Sequence, residues 1–260
     1  MLATLGAVAV LVAAFLVIRW ATTPAPPAPA STVSVQQLTT ELAGIPASTL
    51  DQVGMGSAST AGVKRISDAP LPGPNGRPEV LYVGGEFCPY CAAERWPLVI
   101  ALSRFGTIGG LQTARSSAND VFPSTPTFTF RSVTYHSQVI DLVAVEHFGS
   151  SPAPGGGYET LQPLTPAQQA LAQRYGGGSI PFVDFGNRAA LSGATYSPAV
   201  LQGSGWEQVV QALGNPSSDQ ARAILGSANV LTAAICQATG QQPAEVCGSA
   251  GVRAAAAHLA

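Results

Sequence analysis

The sequence predicts an α/β fold, a mixed sheet flanked by helices, and three observations carry that prediction. Strand-like and helix-like runs alternate between residues 79 and 213. Two cysteines, Cys88 and Cys91, sit three positions apart where an apolar strand-like run gives way to a helix-like one. A second apolar run opens on Ile180-Pro181 and turns back at Gly186-Asn187, which reads as a hairpin.

The elements follow in order. Residues 2–18 form an uncharged, largely apolar run of 17 residues, closed by Arg19 and Trp20 and at the short edge of a membrane span. It reads as an uncleaved anchor or as a signal segment cleaved near Ala28-Pro29-Ala30; a buried core helix would show a polar face, and this run has none. The anchor is the preferred reading, with the remainder outside the cytoplasm, although Arg19 alone argues for the opposite orientation. Pro24, Pro26, Pro27 and Pro29 then make a stiff spacer. Residues 31–50 are helical in character, capped at Ser34, with Val35, Leu38 and Leu42 on one face. Residues 54–78, rich in Gly, Pro and Ser, read as an irregular lead-in.

Residues 79–84 read as a central strand and 89–105 as a helix, in which Trp96, Val99, Ile100 and Leu102 pack on the sheet and Pro97 introduces a kink. A second strand is expected over 107–114, and two more over 127–131 and 139–145, bracketing Tyr135-His136. Thr165 caps a helix over 165–175, Pro166 takes its first position, and Gly176 to Gly178 end it. The hairpin pairs 179–185 with 189–192. Helices are expected over 198–213, 218–239 and 243–259, with no internal repeat. The chain thus divides into an anchor or signal segment (1–20), a Pro-rich spacer and lead-in (21–78), an α/β domain (79–214) and a C-terminal helical extension (215–260).

Composition narrows the function. The chain has 260 residues, 46% of them hydrophobic and only 10% charged, with net charge −2 and a single lysine, Lys64. A core of full size is affordable, and a nucleic-acid binder is excluded by the lack of a basic patch. No phosphate-cradling loop, dinucleotide fingerprint or serine-nucleophile elbow is present.

The chemistry centres on Cys88-Pro89-Tyr90-Cys91. A lone Cys-x-x-Cys also occurs in zinc sites; placed between a buried strand and a helix, it points to redox chemistry. The helix start favours a thiolate at Cys88, and the thiolate is the nucleophile in disulfide exchange. Cys88 is therefore the expected nucleophile, and Cys91, one turn in, resolves the mixed disulfide. Pro89 sets the helix start, and Tyr90 offers an aromatic surface to a client. Arg95 either adds positive field or, on an exposed helix face, is solvated; the solvated reading is favoured, and Glu94 is read in the same way.

The segment Gly85-Glu86-Phe87-Cys88-Pro89-Tyr90-Cys91-Ala92-Ala93-Glu94-Arg95-Trp96 is similar to the signature of a largely uncharacterised prokaryotic family of thioredoxin-like proteins. Residues 79–213 resemble the thioredoxin fold, and the Cys-Pro-Tyr-Cys tetrad also resembles that of glutaredoxins and of some periplasmic disulfide-handling proteins. Phe87 stands where a Trp is usual, and the buried acid common in thioredoxins is not identifiable, Glu86 being the nearest candidate. Glutaredoxins are much shorter and lack the anchor and the helical tail. The resemblance implies that Pro181 is cis and faces the cysteines, leaving the Ile180 backbone open to strand-like pairing with a client; an ordinary trans proline is the alternative.

Cys236 and Cys247, flanking a turn between two predicted helices, read as a structural disulfide, with an electron relay to Cys88 and Cys91 as the alternative. Four cysteines and an export-like segment fit an oxidising compartment. His136, His147 and His258 form no ligand pattern, so no metal and no cofactor is expected. Two functions follow. The first is an enzyme, a membrane-anchored thiol–disulfide oxidoreductase acting on protein thiols or disulfides outside the cytoplasm and served by a redox partner protein. The second is a binding or scaffold module whose disulfide is merely structural.

Overall fold

The structure is a computed structural model that describes residues 33–259. The expected anchor or signal segment and the proline spacer lie outside the described residues. Among the described residues, no helix is long and apolar enough to cross a membrane.

The region expected to form one helix after the spacer forms two, α1 (Val35–Ala43) and α2 (Ala47–Val53), separated at Gly44, Ile45 and Pro46. Ser34 caps α1 by accepting the Gln37 N–H. The lead-in contains a strand that sequence patterning missed, β1 (Val63–Arg65). Then come β2 (Glu79–Gly85), α3 (Pro89–Ser103), β3 (Gly106–Gly109), β4 (Gln112–Arg115), β5 (Pro126–Thr129), β6 (Thr134–Ser137), β7 (Asp141–Pro152) and β8 (Tyr158–Thr160). The single strand expected over 107–114 is split at Gly110, whose φ of 70° favours glycine. After these follow α4 (Pro166–Gly176), β9 (Phe182–Phe185) and β10 (Ala189–Ser192). The helix expected over 198–213 is a 3-10 turn (Pro198–Leu201) followed by α5 (Trp206–Leu213). The tail holds α6 (Asp219–Ala238), α7 (Ala244–Cys247) and α8 (Ala250–Ala256).

Six of the described strands form a mixed sheet in the order β1-β10-β9-β2-β7-β8. The β2–β7 pair is parallel and the other neighbours are antiparallel. β3 with β6, and β4 with β5, make two small ladders outside this sheet.

The period-two alternation of β2 builds a core on each face. Val80 and Tyr82 join a large cluster with α3 and α6. Leu81 and Val83 join a smaller one with Phe182 and Ala172 of α4. α3 is therefore covered on both sides, by the sheet and by α6, and nearly all of it is buried. α6 is likewise buried along most of its length and shares the α3 core.

α3 runs through Pro97, which has no N–H to offer the Ala93 carbonyl one turn back. The Tyr196 hydroxyl donates to that carbonyl instead, at 2.8 Å, and the Thr127 hydroxyl donates to the Ala92 carbonyl, also at 2.8 Å. Trp96 Nε1 donates to the Pro126 carbonyl at 2.8 Å. Side chains from distant segments thus clamp the helix that carries the cysteines.

Candidate active site

The cysteines sit at the C-terminal end of β2. Cys88 is the N-cap of α3 and Pro89 its first residue. The backbone N–H of Cys91 donates to the Cys88 sulfur at 3.2 Å. Both cysteines are free thiols, Cys88 6% exposed and Cys91 fully buried. Hydrogen bonding from Cys91, against the opposing effect of burial, pulls the Cys88 thiol below its ordinary value. Burial pushes the Cys91 thiol well above its own, and the hydrogen bond to Cys88 adds to the rise. The pair is asymmetric: the outer thiol is the easier of the two to ionise.

Beneath it lies an ion pair that contradicts the expectation of a solvated helix face. Arg95 is fully buried, because α3 has no free face at that turn. Its Nε donates to Glu146 Oε1 at 2.9 Å and its Nη2 to Oε2 at 2.6 Å. Nη2 also donates to the Gly85 carbonyl at 3.0 Å, tying the loop before Cys88 to the helix. Glu146 is fully buried on β7, where it also accepts the Phe130 N–H at 3.0 Å. Removing one partner of such a pair costs about 3–5 kcal/mol, because the other charge is stranded.

Glu94, expected to share Arg95's solvated fate, is also fully buried. It accepts from the Thr195 N–H at 2.8 Å and from the Thr195 hydroxyl. Burial outweighs those bonds and raises its carboxyl to about 7. Glu86 is partly exposed and accepts from the Thr129 hydroxyl at 2.9 Å. Glu146, not Glu86, is the acid beneath the site. A glutamate closing an apolar strand run, with an arginine four residues past Cys91, is a signal that could have suggested it.

The surroundings are aromatic. Phe87 stacks on Tyr158 with ring centres 3.8 Å apart and meets Phe148 edge-on. Tyr90 is 41% exposed and meets Phe122 edge-on at 5.7 Å. The loop bearing Phe122 is anchored by the Ser117 N–H, which donates to the Phe87 carbonyl at 2.8 Å. Ile180 approaches Gly85, where an added Cβ would lie 3.1 Å from the Ile180 Cδ1. The Ile180–Pro181 peptide is cis. A cavity of about 150 Å³ opens beside Ile180, Val83 and Phe148. The structure therefore gathers Cys88, Pro89, Tyr90, Cys91 and Ile180 at one end of the sheet, with Pro181 directly before β9.

Cys236 and Cys247 are joined in a disulfide with Cα atoms 5.7 Å apart. The end of α6, at Ala238, abuts Gly186, whose N–H donates to the Glu79 carbonyl at the N-terminal end of β2. Six strand steps separate that end from Gly85, about 20 Å, so direct exchange between the two pairs is out of reach. His136 lines a larger cleft of about 470 Å³ at the same remote end, together with Arg77 and Asp141. Among the described residues, no group of His, Cys, Asp and Glu is placed to hold a metal.

Residues 65–146 match a family described as a domain of unknown function (DUF929). That span holds Cys88, Cys91, Arg95 and Glu146. No curated protein and no solved structure matches the chain.

Proposed function

We propose that this chain is a thiol–disulfide oxidoreductase of thioredoxin-like fold, with Cys88 as nucleophile and Cys91 as resolving cysteine. One observation carries the reading: the Cys88 sulfur caps α3 and accepts the Cys91 N–H, while Cys91 is sealed below it. The thioredoxin-like assignment is supported by the order of β2, the cysteine helix, the parallel strand β7, α4, and Ile180-Pro181 leading into the β9–β10 hairpin.

In the reducing direction the Cys88 thiolate attacks a client disulfide. A Cys88–client disulfide forms, and the other client sulfur leaves as a thiolate and takes a proton. Cys91 then loses its proton and attacks the Cys88 sulfur. The Cys88–Cys91 disulfide closes, the client's second sulfur leaves, and that sulfur is protonated in turn. Two electrons have passed to the client. The reverse sequence oxidises a client dithiol, and a redox partner protein resets the pair. Tyr90 and Ile180 offer the client an aromatic and an aliphatic contact beside Cys88.

The proposal places the domain outside the cytoplasm on a single N-terminal anchor. The apolar run 2–18, the proline spacer and a disulfide in the tail support that placement. The activity is tested by insulin-disulfide reduction and by oxidation of a reduced client. Cys88→Ser should bring both to background. Cys91→Ser should accumulate a mixed disulfide between Cys88 and the client. Full activity in Cys88→Ser would leave a binding or scaffold module instead.

A further inference from the structure

Resolution demands that Cys91 ionise where water does not reach. Its side chain is fully buried, and a thiolate there needs a counter-charge from the protein. Arg95 lies four residues on along α3, so the two side chains share one helix face. The guanidinium is fixed, with three of its hydrogen bonds going to Glu146 and to the Gly85 carbonyl. Its remaining nitrogen, Nη1, is buried and has no hydrogen-bond partner among the described residues. The Gly85 carbonyl, three residues before Cys88, takes Arg95 and so fixes the guanidinium against the loop that leads into the cysteine pair. The Tyr82 hydroxyl is also buried and unpartnered among the described residues, and Arg95 Cζ lies 5.7 Å from the Tyr82 ring centre. A fixed cation with an idle donor therefore lies beside a sulfur that must become an anion.

Resting on the oxidoreductase reading above, we propose that Arg95 is a positioning residue for the resolving half-reaction, the buried counter-ion of the Cys91 thiolate, with Glu146 holding it in place and limiting its charge. Cys91 gives up its proton, and its sulfur, balanced by Arg95, attacks the Cys88–client disulfide. The Cys88–client bond breaks, and the departing client thiolate ends with the proton that Cys91 lost. Nucleophilic attack by Cys88 depends on Arg95 less, because that sulfur caps the helix and accepts the Cys91 N–H.

Ellman's reagent separates the two half-reactions in the full-length reduced protein. Attack by Cys88 releases one thionitrobenzoate, and resolution by Cys91 releases the second. Arg95→Gln combined with Glu146→Gln removes both charges while keeping polar groups. The second release should slow about tenfold, as expected when the resolving thiol rises by about one pKa unit. The first should change by less than about threefold. Glu146→Gln alone leaves Arg95 unopposed and should accelerate the second release, a sign that damage to the fold cannot produce. Arg95→Lys, which keeps the charge, should recover most of the second release. Equal slowing of both releases, an unchanged second release in the double variant, or slowing in Glu146→Gln would overturn the proposal while leaving the oxidoreductase reading intact. A wild-type protein that never releases the second thionitrobenzoate would overturn both.

Discussion

The two cysteine pairs of this chain occupy opposite ends of the same core and have opposite surroundings. Cys88 and Cys91 lie at the start of a helix, with the Cys91 N–H on the outer sulfur and a buried cation one turn further along the helix. Cys236 and Cys247 sit where α6 meets α7, among buried apolar side chains, and are already joined. On the proposed oxidoreductase reading, the first pair moves between thiol, thiolate and disulfide because its environment treats its two sulfurs differently. The second pair has no such asymmetry and works as a staple. Four cysteines of equal intrinsic chemistry thus meet two different local fields.

The largest expected effect at the second pair is on stability alone. Replacing Cys236 and Cys247 together by Ala should cost about 3 kcal/mol for a loop of this length, measured by denaturant unfolding. Exchange at Cys88 should stay within about threefold of wild type. Loss of exchange at retained folding would mean that the pairs do communicate, and the contrast between them would collapse.

A smaller effect is expected at the clamp on the cysteine helix. Tyr196→Phe leaves the Ala93 carbonyl opposite Pro97 without its donor. An unsatisfied buried acceptor costs about 1–3 kcal/mol, readable as a lower denaturation midpoint. An unchanged midpoint would show that the hydroxyl carries no share in holding α3.

The pH dependence sharpens the picture further. The Glu94 carboxyl is raised by burial from its ordinary 4.5 to about 7. Its contribution to folding is fully present below pH 4.5. It is lost as pH rises toward 7, because the unfolded chain ionises first. Glu79, raised by burial to about 7, and Asp184, raised by burial to about 6, act in the same direction. Wild-type melting temperature should therefore fall between pH 5 and pH 8. Glu94→Gln should fall less, since its share of the slope is gone. An identical slope in the variant would remove Glu94 from this account.

Much of the site's frame was legible in the sequence, because its determinants are local. β2, the Pro89 helix start, the Thr165 cap and the Gly186-Asn187 turn are each written in a few adjacent residues. What was missed depends on partners far along the chain. Arg95 reads as a surface charge until Glu146, 51 residues later, is brought beneath it. Pro97 reads as a defect until Tyr196 supplies the missing donor. β1 is three residues long at a sheet edge and carries Lys64 and Arg65, so no apolar alternation announces it. β6, of four residues, and β8, of three, are also short and lie at the margins of their sheets. The helix breaks at 44–46 and 202–205 carry their own breaker residues, Gly44 and Pro46, and Gly203 and Gly205, which the helical reading of the flanking stretches overrode.

The proposed function requires that the Cys88 and Cys91 sulfurs differ, with the outer one ionising first. The most direct test is alkylation of the reduced, full-length protein with iodoacetamide across a pH series, followed by peptide mapping. Cys88 should be modified at lower pH than an ordinary thiol, with its rate levelling off below the ordinary thiol range, while Cys91 stays unmodified until the protein unfolds. Modification of Cys91 first, or of both cysteines together with an ordinary thiol profile, would contradict the account.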